Sequence, residues 1–172
     1  EFTVGVYRVL NSTGLAMGTS SESVSVYVAS LAAAARILNA RMIMPSSDAI
    51  ALKATSSTTT FSFVTQLDLV SGGTITVTLP ANFFSGKPQP AGQLSGSGSV
   101  PNVTCNMTAA AWSVVCVTSG ATLSAGSYNL TFAAGELTTG VAVAAISSGL
   151  AIKTSVENQN DGSASIAILT GQ

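Results

Sequence analysis

Thr74-Ile75-Thr76-Val77-Thr78-Leu79 alternates hydroxyl and aliphatic side chains without a break. Successive side chains of an extended chain point to opposite faces, so Ile75, Val77 and Leu79 share one face and the three threonines the other. That is the pattern of a strand with one side in a core and one in water. The same period of two recurs in residues 23–29 (Val24, Val26, Val28 inward), 59–65 (Phe61, Phe63), 128–132 (Tyr128, Leu130, Phe132) and 163–169 (Ile166, Ile168). Ser71-Gly72-Gly73, Ser119-Gly120, Ala125-Gly126 and Asp161-Gly162 separate the runs at short intervals, the punctuation expected of hairpins in an all-β sandwich.

Two segments fall outside this pattern. Ser30 stands where it could cap the alanine-rich run of residues 31–38, which reads either as a short helix or as a plain connector. Residues 81–101, with Lys87-Pro88-Gln89-Pro90 and then Gly, Ser and Gln, read as a long irregular loop: a contact surface, an O-glycosylated arm or a simple insertion. The chain is therefore divided into residues 1–40, an N-terminal strand segment and connector, and residues 41–172, the sandwich.

Composition narrows the function. Hydrophobic residues make up 47% of the chain, enough for a sizeable core, but only 8% are charged, against about 25% in an ordinary soluble domain. With 25 Ser and 20 Thr, hydroxyls replace charges on the surface. Residues 88–135 carry no charge at all, yet hold both cysteines and three of four Asn-x-Thr sequons. A surface of this kind gains solubility from attached sugar or from packing against neighbours, which points outside the cell. A net charge of −1 without a basic cluster gives no footprint for nucleic acid. The longest apolar run near the end, residues 137–152, is broken by Gly and Ser and is too short for a membrane helix, so no membrane insertion is expected. The absence of histidine and the scatter of the seven carboxylates leave no acid–base pair, and no enzyme and no cofactor is expected.

Cys105 and Cys116 are separated by ten intervening residues, with Ala109-Ala110-Ala111 near the middle. If residues 103–107 and 112–117 pair, Val103, Cys105 and Met107 share a face, as do Trp112, Val114 and Cys116, and a disulfide staples the hairpin. Zinc is not expected with only two thiols and no histidine. The sequons are at Asn11, Asn102, Asn106 and Asn129, and the last three fall on strand faces opposite the apolar residues, so covalent glycans there would leave the core undisturbed. Glu157-Asn158-Gln159-Asn160-Asp161-Gly162 offers oxygens to calcium, but reads better as the hairpin turn between Ile152 and Ile166. No metal site is expected.

Leu69-Val70-Ser71-Gly72-Gly73-Thr74-Ile75-Thr76-Val77-Thr78-Leu79-Pro80-Ala81-Asn82-Phe83, with Thr59-Thr60-Phe61-Ser62-Phe63 before it and Leu123-Ser124-Ala125-Gly126-Ser127-Tyr128-Asn129-Leu130-Thr131-Phe132 after it, resembles the immunoglobulin-like repeat domains of large secreted and cell-surface fibre proteins. The resemblance covers about residues 41–172. It implies an immunoglobulin-like antiparallel β-sandwich with an adhesive or structural role, without catalytic residues.

The chain also begins much as it ends. Phe2-Thr3-Val4-Gly5-Val6 followed by Ser23-Val24-Ser25-Val26-Tyr27-Val28 is similar to Leu150-Ala151-Ile152-Lys153-Thr154 followed by Ser163-Ala164-Ser165-Ile166-Ala167-Ile168. Either a tandem array is cut out of register, or N-terminal donor strands fill an edge or groove of the next copy, with Phe2, Val4 and Val6 entering its pockets. A single larger monomeric sandwich is the remaining reading. The expectation is a structural subunit of an extracellular, glycosylated filament, whose partners are copies of itself. The alternative is a carbohydrate-binding or adhesion module using Tyr7, Tyr27, Phe83, Phe84 or Trp112.

Overall fold

The computed structural model describes residues 35–108, 112–146, 149–158 and 166–168. The chain divides into two compact units, Glu1–Leu31 and Ala32–Gln172, and every described residue belongs to the second. Phe2, Val4, Val6, Asn11, Tyr7 and Tyr27 therefore lie outside the described residues.

The second unit is an all-β, antiparallel sandwich. Twelve strands follow one another among the described residues: β1 Leu38–Ile43, β2 Thr59–Thr65, β3 Thr74–Thr78, β4 Phe84–Gly86, β5 Gly92–Gly96, β6 Asn102–Thr108, β7 Ser113–Ser119, β8 Gly126–Phe132, β9 Leu137–Thr139, β10 Val143–Ile146, β11 Ala151–Thr154 and β12 Ile166–Ile168. One sheet has the order β1-β2-β8-β5 and the other β11-β3-β7-β6, while β4 pairs with β9 and β10 with β12.

Alternation built the sheets as the residues dictate. Ile75 and Val77 are fully buried between half-exposed threonines, with Leu79 beyond them. They meet Phe61, Phe63, Leu130 and Phe132, all at most 1% exposed, from the facing sheet. Phe61 and Phe132 pack edge to face with ring centres 6.0 Å apart, the arrangement favoured by the quadrupoles of two aromatic rings.

The turn residues do a different job from the one their local chemistry suggests. Ser71-Gly72-Gly73 joins β2 to β3 and Ser119-Gly120 leaves β7 for β8, and both connections cross from one sheet to the other. Leu69 and Leu123 bond each other through both N–H and C=O, at 2.8 and 2.9 Å, so the two crossings run side by side. A further bond closes the second crossing: the buried Tyr128 hydroxyl, at the start of β8, donates to the Ser124 carbonyl four residues upstream at 2.8 Å. A tyrosine returning to nearby backbone at a sheet-to-sheet corner is a recurring device of such sandwiches.

The first sheet runs first, second, fourth, third in the chain order of its strands, which is the order of the four-stranded sheet of an immunoglobulin domain. In the second sheet β3 lies between β11, which follows β8 in the chain, and β7, which precedes it.

Two expectations are corrected by the strand pairing. Residues 81–101 contain β4 and β5, so they are not one irregular loop. β5 escapes notice because its glycines are a packing requirement: a Cβ on Gly96 would lie 2.3 Å from the Tyr128 ring, and one on Gly92 2.6 Å from the Cys105 sulfur. Ile152 and Ile166 do not share a hairpin, because β11 pairs with β3 and β12 with β10. Of the alanine-rich run, residues 35–38 are extended: Ile37 is buried, Arg36 bridges to Asn158 and β1 begins at Leu38. Core burial of Ile37 outweighs a helix propensity that short segments can rarely use alone. The division drawn between residues 40 and 41 thus falls inside β1.

Candidate functional site

The uncharged stretch of residues 88–135 becomes one lateral side of the sandwich. It supplies β5 and β6, the edge strands that end the two sheets on that side, and their inner neighbours β8 and β7. The opposite side, where β1 and β11 end the sheets, is stitched: Asn158 donates its N–H to Ala35 at 2.9 Å and accepts that of Ile37 at 3.1 Å.

β6 and β7 form a hairpin in unbroken register from Asn102 opposite Ser119 to Thr108 opposite Ser113. Cys105 faces Cys116 directly and the two are joined in a disulfide, with Cα atoms 4.0 Å apart. Both are buried, as the alternation predicts, with Val114 beside them. Trp112 is not in the inward row. It sits in the turn with a left-handed backbone, φ 48°, half-buried, and its carbonyl accepts the Leu79 N–H.

The sequons on described residues are exposed at their asparagines. Asn102, Thr104, Asn106 and Thr108 form the exposed row of β6. Asn129 lies on β8, a central strand, in a groove of about 670 Å³ on the outer face of the first sheet, lined also by Asn39, Arg41, Ser62 and Ser127. Its side-chain oxygen accepts the Ser62 hydroxyl at 2.6 Å, and the Thr131 hydroxyl of the same sequon donates to the Gln93 carbonyl at 3.2 Å. No aromatic ring is presented in that groove, since Phe63 and Tyr128 are buried beneath it. Phe83 and Phe84, candidates for gripping a sugar, are core residues packed edge to face at 5.0 Å.

Glu157 is a structural group. Nearly buried, it accepts the Gln66 N–H at 2.6 Å and the Thr154 hydroxyl at 3.3 Å, which ties β11 to the end of β2. The rest of the proposed calcium loop, residues 159–162, lies outside the described residues.

Two acidic residues matter that sequence reasoning missed. Asp48 is fully buried in the connection from β1 to β2, where its carboxylate accepts the N–H groups of Ser56 and Ser57, each at 2.8 Å, and the Ser56 hydroxyl. Burial pushes its pKa up, but those hydrogen bonds and the Lys53 charge together outweigh burial and hold the carboxyl below its ordinary value. Glu136 accepts from Lys87 at 2.5 Å and from the Ala91 N–H at 2.7 Å, pinning the segment between β4 and β5; the Lys87 hydrogen bond, then that of Ala91, lowers its pKa. An acid followed by Ser-Ser eight residues on was the one signal available for Asp48.

No family model, curated protein or solved structure matches this chain, so its function is argued from the residues alone.

Proposed function

We propose that this chain is a structural subunit of an extracellular, glycosylated filament or surface fibre, an immunoglobulin-like sandwich extended by an N-terminal strand segment. The observation that carries the reading is the uncharged β5–β8 side, which holds a cross-strand disulfide and three exposed sequon asparagines. Disulfides of this kind persist in oxidising compartments, and an uncharged hydroxyl surface suits permanent contact with sugar or neighbouring protein. The likeness of the chain's beginning to its end supplies the mode of assembly: residues 1–29 dock head to tail on the next copy, and Phe2, Val4 and Val6 fill alternate pockets along an edge.

Negative-stain electron microscopy of the chain produced through a secretory route tests this. Regular filaments are expected from the intact chain, and dispersed particles from Phe2→Asp, which would place an unpaired carboxylate in an apolar pocket. Filaments that persist after deletion of residues 1–29 refute the assembly mode, and unfolding of the Phe2→Asp chain would show that this strand belongs to its own sandwich.

A further inference from the structure

We infer that Asn102 and Asn106 carry N-linked oligosaccharides whose role is to guard the open edge of the second sheet. The attachment rests on the extracellular reading above; the guarding role does not depend on filament assembly.

Among the described residues β6 ends its sheet, and its seven residues pair only with β7. The 4.0 Å Cα spacing of Cys105 and Cys116 is that of opposed residues whose backbone groups point away from each other. Val103, Cys105 and Met107 therefore direct N–H and C=O outward. Met107 shows it, since its N–H leaves the sheet for the Pro88 carbonyl at 2.8 Å. Val103 and Cys105 have no strand beyond them among the described residues. They form a short open template for another chain's strand.

Sheet edges are ordinarily protected by bulges, charges, prolines or brevity. β1 has a register break around Asn39, a left-handed residue with φ 51°, and an exposed Arg41. β11 is four residues long with an exposed Lys153. β5 is only five residues long and has a glycine at each end, Gly92 and Gly96. β6 has none of these: no charge, no proline, no break in register. What it has instead is a sequon on either side of the open backbone, with acceptors about 13 Å apart along the extended strand. Both acceptors and both threonines are exposed on the same face. Asn129 is the internal contrast, being on a central strand where a sugar shields no edge.

The test uses the full chain secreted from a eukaryotic host. Glycopeptide mass spectrometry is expected to find both Asn102 and Asn106 occupied. Removal of glycans from the folded protein by an endoglycosidase, and separately N102Q/N106Q, should each strengthen self-association at least tenfold by sedimentation. N129Q should leave association unchanged, and adding Thr104→Lys to N102Q/N106Q should restore the wild-type state by substituting a charge for the sugar. An empty Asn102 or Asn106 in the secreted protein overturns the inference. So does unchanged association after enzymatic deglycosylation, a result that leaves the filament reading standing. No sugar at any of the four sequons removes the glycosylated reading as well.

Discussion

Replacing Asp48 by Asn separates its charge from its shape. The carboxylate takes three hydrogen bonds in a site with no exposed surface. The amide keeps one acceptor oxygen, which can still serve Ser56, but sets an NH₂ donor against the Ser57 N–H. One hydrogen bond to a charged group is worth about 1.5–3 kcal/mol, and a buried donor left without an acceptor adds a desolvation cost of similar size. The loss should therefore be about 3–6 kcal/mol at pH 7, or about 6–24 °C in Tm for a domain of this size. The sign with pH is equally specific. Because the folded pKa is lowered, the stabilisation is fully present above the unfolded carboxylate value of 3.8 and is lost as pH falls through the folded value. Urea unfolding of both proteins, followed by far-UV circular dichroism at pH 7 and at steps down to pH 2, measures the gap. It should be widest at neutral pH and narrow below about pH 4. A gap under about 0.5 kcal/mol at pH 7, or one that stays constant to pH 2, refutes the assignment of Asp48 as the charged anchor of the β1–β2 connection.

Three further outcomes follow from the packing. Reducing the Cys105–Cys116 bond, or replacing both residues by Ser, should cost about 3 kcal/mol by chain entropy for a loop of this length, read as a lower urea midpoint under reducing conditions. Tyr128→Phe removes only the hydroxyl that reaches Ser124 and should lower stability by about 1 kcal/mol, with faster amide exchange across residues 120–126. Gly96→Ala drives a methyl into the Tyr128 ring and the Ser127 carbonyl and should cost about 1–3 kcal/mol; a Gly96→Ala chain as stable as the parent would show that β5 does not lie against β8 as described.

Strands with an uninterrupted two-residue period were readable because burial of one face is recorded in the residue types themselves. β3 and β8 are the clearest cases, and the same logic placed Cys105 opposite Cys116 and the three later sequon asparagines outward. β5 was not readable, because its side-chain signal was removed where Tyr128 and the disulfide fill the space a Cβ would take. The crossings were mistaken for hairpins because Gly72, at φ 87°, and Gly120, at φ 87°, satisfy the same local geometry whether the chain folds back in its own sheet or passes to the other. Asp48 and Glu136 were missed for a third reason. Their partners are brought up only by the fold, from 49 residues away in the case of Lys87 and Glu136.

The surface formed by strands β5 to β8 has no ionisable side chain of its own except the buried Tyr128 hydroxyl, whose pKa burial and then the Asp68 charge push up. Its interactions with anything that approaches are consequently set by shape, hydrogen bonding and covalent sugar, with almost no Coulomb component for dissolved ions to screen. Contacts made there should hold equally well in dilute and in concentrated salt, and across the acid and neutral range. A surface of charged residues could not offer that indifference to a changing medium.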